Sequence, residues 1–426
     1  MQDTTRRAFL QRASLAGLGA SSLRPTPARN IRKQATTPRA RAVIHLHLEG
    51  GLSHIDTFDP KPDAPVEVRG PFATVRSKLD GEPLGQLLQR TAEIADKLTL
   101  VRSFTHTEAD HDRGAHSVLT GYQPSPAIVY PALGAVVAQQ LGARNDLPPF
   151  LVVPGPGSRF FGSGYLSAAF APFSVGGDPA AQAFKVRDLE APPDVDAARQ
   201  ARRDAMLAAL DAGFAALGDA DAVHAGAAFR RQTGALLQSP AARAAFDVGA
   251  ESAAQKKRYG GSRLGMSCLL ARRLAAAGAR YVAVSTGGFD HHQRIGNDLP
   301  PRMAEVDQAF AALIADLDSQ GLLQETLVLL TSEFGRTPKI NADAGRDHWP
   351  RVFSVVLAGG GIKRGVVHGR STATGAEPEV DPVRPADLAA TVFTLLGIDP
   401  DTRLLAGGGR PIGLVRDGRV LTEILG

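Results

Sequence analysis

Cysteine is nearly absent: Cys268 stands alone in 426 residues, so no internal disulfide can form and a disulfide-framework protein is excluded. Its setting, LGMSCLLARRLAAAG, points to a buried helical position rather than to thiol chemistry. Aromatic residues make up only 6% of the chain. Beyond the N-terminal leader no run approaches about 18 apolar residues, so no membrane span is expected in the mature protein. An excess of positive charge is missing where it would matter. The formal net charge is +5, yet residues 1–41 hold nine Lys/Arg and one acid, while the remainder holds 39 bases and 42 acids. The body is therefore mildly acidic, and it has no zinc finger, RNA-binding aromatic motif or basic helix, so nucleic acid is not an expected partner. A hydrophobic fraction of 43% against 21% charged supplies a sizeable core and excludes a disordered chain.

The leader carries Thr5-Arg6-Arg7-Ala8-Phe9-Leu10, then ASLAGLGASSL, then a Pro/Arg-rich stretch to residue 41. Paired arginines before a short, weakly apolar segment resemble a twin-arginine export signal. The expectation is a folded protein carried by the twin-arginine translocation machinery to the periplasm or the exterior. A disordered basic tail is the other reading of the same residues.

Residues 42–426 read as a single domain in which apolar strands alternate with helices. Strands are expected at 42–48, 98–102, 150–154, 281–285, 326–332 and 352–358, and helices at 84–95, 131–141, 263–277, 301–319 and 386–396. Residues 196–247, rich in Ala, Arg and Asp, suggest a helical insertion. The fold class that follows is α/β, a mostly parallel central sheet with helices on both faces. In such sheets the site forms at loops beyond the carboxyl ends of the strands.

The eleven histidines crowd toward those loops, six between residues 45 and 116 and four between 291 and 368. His45 and His47 share one face of a strand, which favours a packed or supporting role. Glu49 follows that strand, and Gly50-Gly51 would let the backbone turn beneath a bound ion. Residues 103–126 read as a polar loop in which His106, Glu108, Asp110, His111, Asp112, Arg113 and His116 lie close together. His111 or His106 could act as general acid or base, and Arg113 could clamp an oxyanion, with Arg336 as the alternative. Ser53, Thr57 and Thr107 are possible nucleophiles with no basis for choice among them. Asp290 and His292 offer oxygen and nitrogen ligands of a kind compatible with zinc, manganese or iron. Glu333 ends another strand, and Asp347-His348 precede the next. Acidic or imidazole groups thus recur at four strand-to-loop junctions.

The RR leader, LEGGLSHIDTFDPKP, HSVLTG, GGFDHH, TSEFGRTP and GRDHWP together resemble the bacterial DUF1501 family, within the alkaline phosphatase/sulfatase-like superfamily. The resemblance spans about residues 42–400. It implies an alkaline phosphatase-like fold with one or two divalent ions, zinc or manganese, at the sheet edge. Carried onto this chain it implies metal ligation by Glu49, Asp290, His292, Glu333 and His348, with Asp347 as a neighbour. The pattern departs from the superfamily where a nucleophile is expected, because counting back from Gly121 reaches His111. The expected function is an exported metal-dependent hydrolase of a sulfate or phosphate ester, carbohydrate-linked esters included, with metal-activated water in place of a side-chain nucleophile. A non-catalytic exported protein that binds a metal or ligand on the same fold is the alternative.

Overall fold

The computed structural model describes residues 37–155, 157–186, 196–216 and 220–426. The twin-arginine motif and most of the leader lie outside the described residues.

Eight strands form the central sheet: β1 (Ala42–Leu48), β2 (Leu98–Phe104), β3 (Phe150–Val153), β4 (Phe173–Ser174), β5 (Tyr281–Thr286), β6 (Thr326–Ser332), β7 (Phe353–Ala358) and β8 (Val366–His368). Their order is β8-β2-β7-β6-β1-β5-β3-β4. All run parallel except β7, which is antiparallel to both β2 and β6. β1 sits at the centre, with Leu48 level with Thr286 on one side and Ser332 on the other.

Every residue of β1, β2, β6 and β7 is buried. This is what a strand covered on both faces requires, and it explains why these strands are mostly apolar. Alternate side chains feed two separate cores. Ile44, Leu46, Val282, Val284, Val328 and Leu330 pack beneath α6 (Arg263–Ala276) and α7 (Ile295–Ser319). On the opposite face Val43, Ala283, Leu327, Leu329 and Val355 pack against α1 (His111–Thr120), α2 (Leu133–Leu141) and α8 (Pro385–Leu395). Within residues 196–247 the described elements are the helices α3 (Ala197–Ala216), α4 (Ala220–Gln238) and α5 (Pro240–Phe246). The lone Cys268 is fully buried within α6, and burial pushes its thiol up to about 12.

Three sequence expectations are corrected. Residues 84–95 are not one helix: Leu84–Gly85 pairs with Thr74–Val75, and only Gln89–Ala92 turns helically. The carboxylate of Asp307 on α7 accepts from Arg90 N (2.9 Å) and Thr91 N (2.7 Å), so a tertiary contact caps that short turn. α7 starts six residues before 301 and carries Pro300 and Pro301 within it. Residues 111–120, read as loop, are helix α1. Asp110 caps it by accepting from Arg113 N at 3.1 Å, and Gly121 ends it in the left-handed conformation (φ 77°).

Candidate metal centre

Four strands, three of them adjacent and the fourth one strand further on beyond β1, deliver the cluster to one edge. His111 follows β2, Glu333 follows β6, and Asp290 and His292 follow β5. His348 precedes β7, and because β7 runs backwards its entrance lies at the edge where the others end. A two-residue ladder pairs His348 with Arg336, holding both loops together.

Ligand atoms of His111, Asp290 and His348 lie within 4.8 Å of one another. His111 Nε2 is 3.3 Å from Asp290 Oδ2, and His348 Nε2 is 3.1 Å from Asp290 Oδ1. His292 joins them, its Nε2 standing 3.0 Å from both Asp290 Oδ1 and His348 Nε2.

The outer nitrogens decide what these inner atoms are. His111 Nδ1 lies 2.7 Å from Glu333 Oε1, His292 Nδ1 lies 2.7 Å from Asp347 Oδ1, and His348 Nδ1 lies 2.7 Å from the Ala109 carbonyl. A carboxylate or carbonyl only accepts, so each Nδ1 carries the proton in the neutral ring. In the neutral ring each Nε2 then offers a lone pair, whereas in the doubly protonated ring it donates to the Asp290 carboxylate it faces. The three Nε2 atoms all face Asp290, and in their neutral form they repel that carboxylate unless a proton or a cation lies among them. An outer acceptor on each imidazole is the usual way a metal-binding histidine is oriented.

Charge follows the same geometry. The hydrogen bond to Glu333 raises the His111 pKa against the opposing effect of burial. Burial would raise Glu333, but the bond from His111 and the nearby His47 hold it below the usual carboxylate range. For Asp290, burial is likewise outweighed, chiefly by Arg336 and His348, and the carboxyl sits far below its ordinary value. Asp347 is lowered by His292.

Arg336 is fully buried. It donates to the carbonyls of Gly50, Gly51 and Arg346 and to Asp290 Oδ1. That engagement removes it as a substrate clamp and makes it the post on which the Asp290 loop hangs. Gly50 presses against the same loop, since a Cβ there would stand 2.5 Å from Asp290 N.

The sequence-predicted residues therefore divide. Asp290, His292 and His348 come together, and His111, read as an acid or base, joins them as a fourth. Glu333 and Asp347 stand one imidazole behind: Glu333 Oε1 is already taken by His111 and by Gly50 N (2.7 Å). Glu49 is outside the cluster and accepts from Ser285 Oγ. His106 is occupied at both ring nitrogens, with Nε2 2.6 Å from the Glu333 carbonyl and Nδ1 accepting from Glu108 N at 3.0 Å. Burial keeps it neutral, so it fastens the loop instead of carrying protons.

Arg113 lies two positions beyond His111 on α1, about 200° around the helix, and its guanidinium pairs with Glu108 at 2.5 Å. It does not clamp at this cluster. Ser53 and Thr57 are buried with their hydroxyls bonded to Asp56 (2.5 Å) and the Ser53 carbonyl (2.5 Å). Thr107 is turned to Glu108. His45 is packed, as its strand position suggested, bonding Tyr281 Oη (2.7 Å) and Thr331 Oγ1 (2.8 Å).

The Ala109 carbonyl is the element missed from sequence, because a backbone acceptor leaves no residue-type signal. Helix α1, also missed, had a usable one in Asp110 and Gly121 flanking ten residues.

No curated protein matches the sequence. Among solved structures, the chain is similar to the lipoteichoic acid synthase LtaP from Listeria monocytogenes, with 11% identity, TM-score 0.40 and coverage of 89% of this chain and 76% of that one. It is also similar to the PsFucS1 sulfatase from Pseudoalteromonas sp., at 13% identity and TM-score 0.39, covering 86% and 68%. An alkaline phosphatase from the Antarctic bacterium TAB5 matches at 13% identity and TM-score 0.34, covering 76% and 92%. Likeness at these scores assigns neither reaction nor ligand. A family model described as "Protein of unknown function (DUF1501)" matches residues 40–425, so the chain belongs to the DUF1501 family.

Proposed function

We propose that His111, His292, His348 and Asp290 hold one divalent ion, zinc or manganese, and that the protein hydrolyses a sulfate or phosphate ester. The observation that carries the reading is the convergence of three imidazole Nε2 atoms on a carboxylate, each ring fixed from behind by an acceptor. Three nitrogens and one oxygen suit zinc, manganese or iron. Bound there, such an ion would polarise an ester oxygen and lower the pKa of water.

The chain's own residues prepare the spot. Arg336 neutralises Asp290 from behind, and the carboxylates of Glu333 and Asp347 stand one imidazole further out. The open face therefore keeps cationic character toward an anionic ester. Glu333 and Asp347 hold protons on Nδ1 of His111 and His292, so both Nε2 atoms stay aimed at the cluster. Export through the twin-arginine route is part of the same proposal and rests on the leader sequence.

A second reading, an exported metal-binding protein without catalysis, is favoured by one observation: Ser53, Thr57 and Thr107 are all engaged away from the cluster.

The test is metal content by inductively coupled plasma mass spectrometry on chelator-free protein, with His348→Ala and Asp290→Asn beside it. Turnover of 4-nitrophenyl sulfate, 4-nitrophenyl phosphate and a phenylphosphonate ester follows. We expect near-stoichiometric transition metal, lost in both variants, and metal-dependent turnover of at least one ester. Absence of metal after reconstitution with zinc and with manganese sinks both readings. Metal without turnover leaves the second.

A further inference from the structure

Glu49 directly follows β1 at the same sheet edge, yet the histidine cluster leaves it unused. Its half-buried carboxylate accepts from Ser285 Oγ, and among the described residues it has no other hydrogen bond and no ion pair. Beside it opens a cavity of about 240 Å³, whose walls include Ser267, Ser285, Thr286, Gly157 and Arg263. Arg263 is the first residue of α6 and is exposed. Gly157 (φ 52°) brings the loop after β3 close to Ser285, since a Cβ would stand 2.8 Å from the serine Cβ.

The chemistry of these walls limits the occupant. An anion would be drawn to the Arg263 guanidinium but would meet the Glu49 carboxylate in the same small cavity. An aliphatic group would leave that carboxylate dehydrated with Ser285 as its single donor, a costly state. An ammonium group would suit Glu49 but face the Arg263 guanidinium. Hydroxyl groups satisfy both, because an O–H donates to the carboxylate while its oxygen accepts from the guanidinium. The volume lies below the roughly 300–1,000 Å³ of drug-sized ligand sites, which fits one ring and not a chain.

The cavity also lies next to the cluster. Its Ser285–Gly287 wall runs within three residues to Asp290, and Gly50, directly after Glu49, touches the Asp290 backbone.

We propose that this cavity binds a neutral monosaccharide ring, the carbohydrate part of the ester whose anionic group reaches the histidine cluster. The second half rests on the ester-hydrolase reading, and ring binding stands without it.

The experiment is saturation-transfer NMR on the whole protein with the methyl α-glycosides of glucose, galactose, mannose and xylose. Glu49→Gln, the surface change Arg263→Ala and His348→Ala are run in parallel, with thermal melts to confirm folding. We expect transfer to ring protons of at least one glycoside, roughly tenfold weaker binding in Glu49→Gln, weaker binding in Arg263→Ala, and no change in His348→Ala. No transfer to any of the four, or equal transfer in folded Glu49→Gln and Arg263→Ala, overturns the proposal. So does Glu49-dependent binding of ethylammonium or of inorganic sulfate in place of the glycosides. Glycoside binding without hydrolysis of the corresponding sulfated or phosphorylated glycosides supports the ring site while defeating the hydrolase reading.

Discussion

Replacing Asp347 by alanine separates a metal-orienting role from a merely structural one. Asp347 Oδ1 accepts from His292 Nδ1 at 2.7 Å and from Asn341 Nδ2 at 3.3 Å, and its side chain is 54% exposed. Losing an acceptor behind a metal-binding histidine costs about 10- to 100-fold in affinity. Water can reach the vacated Nδ1 here, so the lower end applies: about tenfold, or ~1.4 kcal/mol. An exposed site makes the cost to folding of the metal-free protein small, within about 0.5 kcal/mol. The assay is zinc competition against a chromophoric chelator, with urea unfolding of the metal-free protein alongside. Glu333→Gln is the buried counterpart. Glu333 receives both His111 Nδ1 and Gly50 N, so affinity should fall toward the hundredfold end and stability should fall with it. Unchanged zinc affinity in Asp347→Ala would refute the reasoning. So would a loss as complete as that of His292→Ala.

Three further outcomes follow from the same geometry. Arg336→Lys should destabilise the protein by about 3–5 kcal/mol, because an ammonium cannot reproduce bonds to three carbonyls and Asp290 from one buried position; a melting temperature near wild type would contradict this. Gly345→Ala should abolish metal retention while the far face of the sheet stays folded, since a Cβ there runs into the backbone between His292 and Gln293; wild-type metal content by mass spectrometry would contradict it. Burial lowers His45 from 6.5 to about 3, with the charge of His47 adding to it, and burial lowers His54 to about 4. The unfolded chain therefore binds these protons first: stability is full above pH 6.5 and falls as pH drops toward 4, by about 2 kcal/mol per histidine at pH 5. Urea midpoints at pH 7.5 and pH 5 check this, and His45→Gln should show a smaller difference than wild type; an equal difference excludes His45 as a source.

Much of the architecture was legible because it is written in local patterns. The strands 42–48, 326–332 and 352–358 are short apolar runs of the length that a strand covered on both faces needs, and their boundaries shift by a residue at most. Where a contact from elsewhere in the chain decides, local pattern fails: Asp307 on α7 caps the turn at 89–92, and no feature near residue 90 announces it. Ligand-type residues are legible in kind, and their grouping is not. Sequence places His111, Asp290, His292, Glu333, Asp347 and His348 at strand ends. Glu333 and Asp347 both look like ligands there, since a carboxylate at a sheet edge has the same residue type whether it faces an ion or the back of an imidazole.

The sequence by itself determined the α/β class, the approximate strands and the edge at which histidines and carboxylates gather, because strand periodicity and residue type are local properties. Only the tertiary structure decided that β7 runs backwards and brings His348 to the edge where Asp290 lies. It also decided that Arg336 is buried beneath that carboxylate and that Glu49 turns to Ser285 and a separate cavity. Those outcomes depend on strand order and on distances between residues more than forty positions apart, which no short stretch of sequence encodes.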